Sequence, residues 1–590
     1  MQQTHPSPAG FEGSVCSRGR HAVWFPAFEE VRGKVICKVR NRVQQIVFDT
    51  KGILRGARAA VSAGFFNGFT AEDGIATARS LIRYGASLSG LLEVAAARFP
   101  DRVALVDDDG ELTYAELRDQ AVLTAQALVA NGVDANSRVG IMARNGRGFL
   151  IPLAAKGYVG FTVFLLNVGA SRTQIANIVE EHDISFLFVD SEFDSRIPDE
   201  SPRVSVCHSW VGDNARTDIA FPTFRDLWAT PGTTDVTFGR RPVQGGVVLM
   251  SSGTSGTPKA VGHGEPHVPL GVLGPPVESC GLKAGCTLQM TASMFHVLGW
   301  GASCIALFAG CTIVTQRTFS AENVLHQLDT YRCEGLISSA VFLKEQLAVH
   351  DSDPGRYDTS SLRFILNAGN AMSEDLVRGL QERYGYILGS GYGSTEGLLV
   401  SYSSPSDLRE DPLTAGHPVW NGRLELLDPA SGREVEPGQV GVVHARNAMS
   451  MKGYLGARDR EDVTRGLLSL GDKGVIDPRS GRLRVLGRNN DMIIVGGENI
   501  WPTSVSDIID RLDGVAESYC VGVEDDETFQ RVKAYVVTDG SVELTEDAVR
   551  EHVRDNFMAP AVPRDVVLMD RPLPRNPIGK VVKRELEAFG

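Results

Sequence analysis

No part of this chain offers a disulfide framework, a metal-ligand cluster or a membrane span. The nine cysteines are scattered, without a Cys-x-x-Cys pair or a ligand spacing, which fits a reducing compartment with buried or free thiols. The most apolar run, Trp300 to Val314, is rich in Gly, Ala and Cys and too short to cross a bilayer comfortably. The opening Met1-Gln-Gln-Thr-His-Pro6 lacks the charged start and apolar core of a secretory signal. Positive charge is in deficit: the formal net charge is -13, which argues against general nucleic-acid binding. No repeat of solenoid period is present. What remains is ordinary globular composition, 43% hydrophobic and 22% charged, over 590 residues, enough for several domains. A cytoplasmic location is expected.

The charge is uneven. Between Ser17 and Arg58 ten Lys/Arg stand against three Asp/Glu, a balance of +7. Within that stretch Val35, Val39, Val43, Ile46 and Val47 recur at helical spacing with basic residues between them. Two readings stay open. One is peripheral attachment to the anionic inner face of a membrane; the other is a helix packed on the main body with its basic side in water. Residues 1 to about 30, rich in Gly, Pro and Ser, are expected to be disordered.

From Ser87 onward helical and strand patterns alternate. Strands are expected at Val103–Val106, Arg138–Met142, Thr162–Leu166 and Ser185–Val189, with helices at Tyr114–Asn131, Ile151–Tyr158 and Thr173–Glu181. That order implies an α/β fold with a largely parallel sheet covered on both faces. Beyond Pro418 short strands and Gly turns predict a small β subdomain. Near Arg488 the texture changes to a separate α+β unit of roughly 100 residues, including a helix at Glu546–Asn556. The expected division is an extension over 1–85, a main domain over 86–489 and a C-terminal domain over 490–590.

Val247-Val-Leu-Met250 reads as a buried strand, and it runs into Ser251, Ser252, Gly253, Thr254, Ser255, Gly256, Thr257, Pro258 and Lys259. Glycines let the backbone bend closely around a ligand. Backbone N–H groups, hydroxyls and an ammonium together suit phosphate. The spacing is not that of a Walker A loop, and by itself the stretch also reads as a flexible surface loop.

Together with Phe295-His-Val-Leu-Gly299, Tyr392-Gly-Ser-Thr-Glu396, Gly471-Asp472, Gly487-Arg488, Gly496-Gly-Glu-Asn499 and Gly579-Lys580, that loop resembles the motif series of the adenylate-forming superfamily. That superfamily comprises acyl-CoA synthetases, luciferases and nonribosomal adenylation domains, and the chain is most like a bacterial fatty acyl-CoA synthetase. The resemblance runs from about Ser87 to the C-terminus. It implies a large N-terminal domain of wrapped, mainly parallel sheets with a small β-barrel subdomain, and a smaller mobile α+β C-terminal lid.

The resemblance also implies chemistry. A carboxylate attacks the α-phosphate of ATP to give acyl-adenylate and pyrophosphate, and the thiol of coenzyme A then displaces AMP. Ser251 through Thr257, with Lys259, would hold the β- and γ-phosphates. Tyr392 would stack on adenine, Thr395 would bond the α-phosphate, and Glu396 would hold Mg²⁺, a hard cation that shares carboxylate and phosphate oxygens. Gly369, Asn370 and Ala371 would line the adenine site. Asp472 would accept the ribose hydroxyls and Arg488 would contact ribose and phosphate. Leu470 stands where the family usually has Thr. Lys580 would bridge the substrate carboxylate and the α-phosphate. Asn490 would be the pivot of the lid, and Gly496 and Gly497 would line the pantetheine path. His296 would stand at the carboxylate end of the acyl pocket.

The apolar surroundings of His296 (Met294, Phe295, Val297, Leu298 and Trp300) suit an acyl group. The expected function is an ATP- and Mg²⁺-dependent ligase joining a medium- or long-chain fatty acid to coenzyme A. Alternatives are an aryl-acid ligase, a ligase loading a carrier protein, and a noncatalytic nucleotide- or CoA-binding relative. The resemblance leaves room for a homodimer.

Overall fold

The computed structural model describes residues 51–590 except 68, 86, 198–203, 213–220, 239–241, 252–257, 265–269, 457–461, 489–492, 496–497, 526–528, 558, 577–578 and 590. The expected disorder before residue 30 and the helical segment at 35–47 lie outside the described residues.

Two large sheets form the main body. One has nine strands in the order His417–Pro418, Leu398–Ser403, Leu388–Ser394, Phe364–Ala368, Gly335–Ser338, Thr287–Met290, Thr312–Val314, Val103–Asp107 and Gly110–Thr113. Its centre is parallel and its margins are antiparallel. The other has seven strands: Gly453–Leu455, Lys259–His263, Val247–Ser251, Thr162–Leu165, Arg138–Met142, Phe186–Asp190 and Ser205–Trp210. Strands buried on both faces read as continuous apolar runs, and Phe186–Asp190 is buried at every position. The Arg147–Val159 helix is buried from Gly148 to Val159. It is apolar all round, as a central core helix must be, and it shares one hydrophobic cluster with strands of both sheets.

An ion network ties the two sheets. Asp190, fully buried at the end of its strand, accepts from Arg317 Nη2 at 2.7 Å, from the Arg144 backbone N–H at 2.8 Å and from Ser209 Oγ at 2.8 Å. Arg317 follows the Thr312–Val314 strand of the other sheet and stacks 3.5 Å from the Trp210 ring centroid. Burial pushes the Asp190 carboxyl above its usual 3.8, and Arg317 opposes that shift.

A five-stranded antiparallel sheet, Arg423–Leu427, Val440–Arg446, Leu467–Ile476, Val463–Thr464 and Leu483–Arg488, makes the small β subdomain. The C-terminal α+β unit has five strands: Glu498–Ile500, Ile493–Val495, Phe529–Thr538, Val515–Asp525 and Asp565–Met569. Its helices Pro502–Ile509 and Glu546–Asn556 cover one apolar cluster. The α/β architecture is the one the sequence implies.

Two local findings add to what the sequence indicated. The segment after Val247–Ser251 leads into an antiparallel partner, Lys259–His263, with Ser251 opposite Lys259. The phosphate-loop residues therefore connect the two strands of a hairpin. The second finding lies upstream of Ser87, where helices span 51–62 and Ala71–Tyr84. The second opens with a capping box, in which Asp73 N–H donates to Thr70 Oγ1 and Thr70 N–H to Asp73 Oδ2.

Replacing Arg317 by Ala strands a buried carboxylate and is expected to lower the unfolding free energy by about 3–5 kcal/mol. Adding Asp190→Asn to that variant is expected to recover part of the loss. Denaturant titration of the three proteins measures both, and an unchanged midpoint for Arg317→Ala would refute the account of the network.

Candidate functional site: a nucleotide and acyl cleft

Thr395, Glu396 and Gly397 form the turn between Leu388–Ser394 and Leu398–Ser403. The turn has no room for a side chain at Gly393, where a Cβ would lie 1.6 Å from the Leu398 carbonyl oxygen. Leu398 itself takes the left-handed conformation, φ 52°, which costs a non-glycine residue energy unless the surroundings hold it. They do so: Asn447 Nδ2 donates to the Gly397 and Leu399 carbonyls at 3.0 and 2.8 Å, and the Met451 N–H donates to the Glu396 carbonyl at 2.7 Å. The Glu396 carboxylate accepts from the Tyr454 hydroxyl at 3.0 Å. The Lys259 ammonium lies 5.1 Å from the Tyr454 ring centroid, an attractive cation–ring contact. Glu396, Tyr454 and Lys259 thus stand together, beside Ser251 at the other foot of the phosphate-loop hairpin. One carboxylate next to such a loop suits a Mg²⁺ ion, which takes most of its ligands from phosphate and water.

His263, opposite Val247 in the same hairpin, is buried, and its Nδ1 donates to the Met449 carbonyl at 3.2 Å. Burial lowers its pKa from 6.5, against the pull of the Met449 and Thr395 carbonyls and of Glu396.

On the other side of the same turn, the Tyr392 hydroxyl donates to Asp472 Oδ2 at 2.6 Å. Asp472 is buried in Leu467–Ile476, in register with Arg488 on the next strand. Gly369, Asn370 and Ala371 follow Phe364–Ala368, whose Ala368 pairs with Gly391 beside Tyr392. Gly369 has φ 94°, and a Cβ there would meet nothing within 4 Å. The residues expected around adenine and ribose therefore border one opening. Leu470 is buried with Val400 and Val443 and packs against Tyr392. Where a Thr would offer a hydroxyl, this chain has a firmer apolar support for the tyrosine.

His296 is the N-cap of the Val297–Phe308 helix, which lacks a side-chain cap hydrogen bond. The unpaired N–H groups of such a helix start favour an anion. The imidazole lies 4.5 Å from the Phe295 ring, and its Nε2 is buried without a hydrogen-bond partner. Burial, and secondly the positive charge of Lys580, push its pKa down from 6.5 to about 3. His296 is neutral at physiological pH, so it can orient a substrate oxygen by hydrogen bonding but cannot act as a cation. Along the same helix Val297, Leu298 and Ile305 are half-buried, and a Cβ at Gly301 would meet nothing within 4 Å. Half-buried apolar residues and an uncrowded glycine thus follow His296 along its helix.

Lys580 is carried by a short loop. Asn576 Oδ1 accepts from the Lys580 N–H at 2.8 Å, and Arg575 Nη1 donates to the Gly579 carbonyl at 2.8 Å. Arg575 also pairs with Glu517, whose other oxygen accepts from the Leu573 N–H at 3.1 Å. Gly579, at φ 79°, approaches Val341 so closely that a Cβ would lie 3.0 Å from its Cγ2. Val341 is in the first turn of the Ala340–Ser352 helix. Two further contacts hold the C-terminal unit against the main body: Lys344 Nζ donates to the Ala516 carbonyl, and Arg511 pairs with Glu374 at 3.4 Å.

The structure brings Lys259, Glu396 and Ser251 to one wall, Tyr392, Asp472 and Gly369–Ala371 to a second, and His296 with Lys580 to a third. Thr395 sits in the turn between the first two. Ser252, Gly253, Thr254, Ser255, Gly256, Thr257, Asn490, Gly496, Gly497 and the side chain of Arg488 lie outside the described residues. Sequence reasoning missed Tyr454, His263, Arg575, Asn576 and Glu517. Each acts through a partner distant in sequence or through a backbone contact, which a single sequence does not display.

The AMP-binding enzyme family model matches residues 92–455, and the model of its C-terminal domain matches 504–580. The chain belongs to the AMP-binding enzyme family, the adenylate-forming class to which its motifs and fold correspond. It is similar to the 3-(7a-methyl-1,5-dioxo-octahydro-1H-inden-4-yl)propanoyl:CoA ligase of Rhodococcus jostii, with 29% identity over 84% of this chain and 97% of that one. It is also similar to the 2-succinylbenzoate–CoA ligase of Bacillus cereus, with 26% identity over 82% and 95%. Among solved structures, the amide bond synthetase McbA of Marinactinospora thermotolerans superposes with a TM-score of 0.71 at 25% identity, over 85% and 99% of the two chains. The resemblance to fatty acyl-CoA synthetases in particular is not reproduced by these relatives; the superfamily is.

In the unfolded chain His296 takes up a proton below about pH 6.5, whereas in the fold it stays neutral to about 3. Between those values the unfolded state binds more protons, so stability is full above pH 6.5 and is lost as pH falls. His296→Gln cannot titrate and is expected to lose less stability than the parent between pH 6.5 and 4. Denaturation midpoints across that range test this, and parallel losses would refute it.

Proposed function

We propose that this protein is an AMP-forming acid–thiol ligase that activates a carboxylic acid as its acyl-adenylate and transfers the acyl group to coenzyme A. The observation that carries this reading is the position of Lys580. Its charge acts on His296, and Gly579 beside it packs against Val341 of the main body, so a cation from the C-terminal unit stands against His296 and the apolar residues that follow it. Two anions must meet there, a carboxylate and the α-phosphate, and fixed positive charge lowers the cost of that approach.

In the first step a carboxylate oxygen attacks the α-phosphorus, and the bond to the bridging oxygen breaks. Pyrophosphate leaves toward Lys259 and the Ser251–Thr257 loop. Glu396 would hold the Mg²⁺ that accompanies it. Lys580 would bridge the carboxylate and α-phosphate oxygens, and Asp472 and Tyr392 would fix the nucleoside. In the second step the thiol sulfur attacks the acyl carbon, AMP departs, and the thiol proton passes to solvent or base. A pivot at Asn490, between the main domain (86–489) and the C-terminal unit (490–590), would withdraw Lys580 for that step, with Gly496 and Gly497 along the pantetheine path.

For the acid we favour an apolar, ring-bearing body over the medium- or long-chain fatty acid expected from sequence. The space beside Gly301 is walled by Val297, Leu298 and Ile305, which suits either. Similar proteins, however, act by name on a succinylbenzoate and on a methyl-dioxo-octahydroindenyl propanoate.

Pyrophosphate release measured over a panel of aryl, alicyclic keto and fatty acids, with and without coenzyme A, tests both levels. Release that depends on no acid would refute the ligase reading. Faster turnover of octanoate or palmitate than of every ring-bearing acid would restore the fatty-acid reading. Lys580→Ala is expected to slow adenylate formation by about 10²–10³-fold while leaving thioester formation from supplied acyl-adenylate within about tenfold of the parent. Equal losses in both steps would remove Lys580 from its role.

A further inference from the structure

The two helices upstream of the AMP-binding match face outward in an unusual way. In the 51–62 helix the small residues Gly52, Gly56, Ala59 and Ala60 are buried, while Ile53, Leu54 and Val61 are 50%, 59% and 60% exposed. The Ala71–Tyr84 helix repeats this: Tyr84 is buried, whereas Ile75 and Ile82 are 61% and 60% exposed and Leu81 is also in solvent. Ile75, Ala78 and Ile82 are spaced to lie on one helical face, so the apolar stripe points away from the core. A core-packing helix shows the reverse pattern.

The patch continues across the chain. An open groove of about 540 Å³ runs between Ala78, Leu81, Ile82 and Tyr84 on one side and Pro242 and Gln244 on the other. Val243, on that second lip, is 80% exposed. Exposed apolar side chains gathered at such a groove mark an interaction site.

Charge selects the partner. Arg55 and Arg58 interleave the apolar residues of the first helix, and Arg79 and Arg83 those of the second. Glu72 and Asp73 are the acidic residues of these helices, both in the first turn of the second, and Asp73 is engaged in the Thr70 capping box. Arg55 also pairs with Glu278 of the main body at 3.1 Å. The surrounding sequence is basic as well: Ser17 to Arg58 carries +7 in a protein of net charge -13, and Arg240-Arg241 immediately precede Pro242. A second copy of this chain would set these arginines against arginines. An anionic lipid surface instead accepts the apolar side chains among its acyl chains and the guanidinium groups among its phosphates.

We propose that the outward face of the 51–62 and Ala71–Tyr84 helices, with the groove at Pro242–Gln244, docks this protein on an anionic phospholipid surface. The proposal concerns where the protein sits and does not depend on which acid it activates.

Flotation of the full chain with phosphatidylcholine vesicles, with or without phosphatidylglycerol, tests it. Binding is expected only with phosphatidylglycerol and is expected to weaken as salt rises. I75E/I82E is expected to reduce the bound fraction about tenfold. R79E/R83E is expected to reduce binding and flatten its salt dependence. Both variants keep unchanged pyrophosphate release without vesicles, which shows that they fold. No flotation, or equal flotation with neutral vesicles, would overturn the proposal. So would full binding by I75E/I82E, which would assign membrane contact to another segment. A concentration-dependent dimer lost in I75E/I82E, without flotation, would assign the face to a second copy.

Discussion

The turn between Gly393 and Leu398 is the point on which the cleft depends. It can close only because Gly393 has no side chain and because Leu398 is held at a positive φ. The backbone energy stored there is matched by Asn447 and Met451, which take up the turn's carbonyls. The consequence is directional. Tyr392, before the turn, reaches Asp472 in the small β subdomain, and Glu396, within it, reaches Tyr454 on the edge strand of the seven-stranded sheet. One turn at the margin of the nine-stranded sheet therefore fixes contacts to two other sheets. A looser turn would let the nucleoside side and the phosphate side move independently.

The third wall follows a different logic. His296 and Lys580 are far apart in sequence and belong to different units, yet the charge of one affects the protonation of the other. The loop carrying Lys580 is braced from behind by Glu517 acting on both Arg575 and the Leu573 N–H. The lysine is thus presented on a braced loop, while the contacts joining its unit to the main body include Lys344 to Ala516, Arg511 to Glu374, Gly579 against Val341 and Thr503 to the Leu486 carbonyl. Exposed ion pairs are weak. The half-exposed Arg511–Glu374 pair therefore adds little to the hold on the C-terminal unit.

How legible all this was depended on the type of signal. Arg138–Met142 and Glu546–Asn556 have the bounds expected from periodicity, because the first is a strand buried from Val139 to Met142 and the second a capped amphipathic helix. The motif residues were legible as a series, since their order carries information that no single one does. The hairpin partner of the phosphate loop was not: Lys259–His263 is short and polar at both ends, and only its pairing with Val247–Ser251 on one side and Gly453–Leu455 on the other makes it a strand. Tyr454 reaches Glu396 through that same pairing, so it was invisible for the same reason. The helices upstream of Ser87 escaped notice because they expose isoleucine and leucine, the first burying glycine and alanine and the second only Tyr84, which inverts the rule that periodicity reading relies on.

The identity of the acid is the least legible feature, and the structure explains why. Phosphate, magnesium and ribose are recognised by charge and by hydrogen bonds, whose partners must stand at defined distances and so leave a trace in residue type and spacing. The proposed acyl space would lie along Val297, Leu298 and Ile305, around a glycine. Apolar walls discriminate by shape, at only about 1–3 kcal/mol per methylene, and many side-chain combinations enclose the same volume. Gly301 is the exception. Its missing side chain leaves the space open beside His296, so a larger residue at that position would narrow the site from the carboxylate end outward. Under the proposed reading, acid choice would rest on volume at one helix position more than on any polar contact.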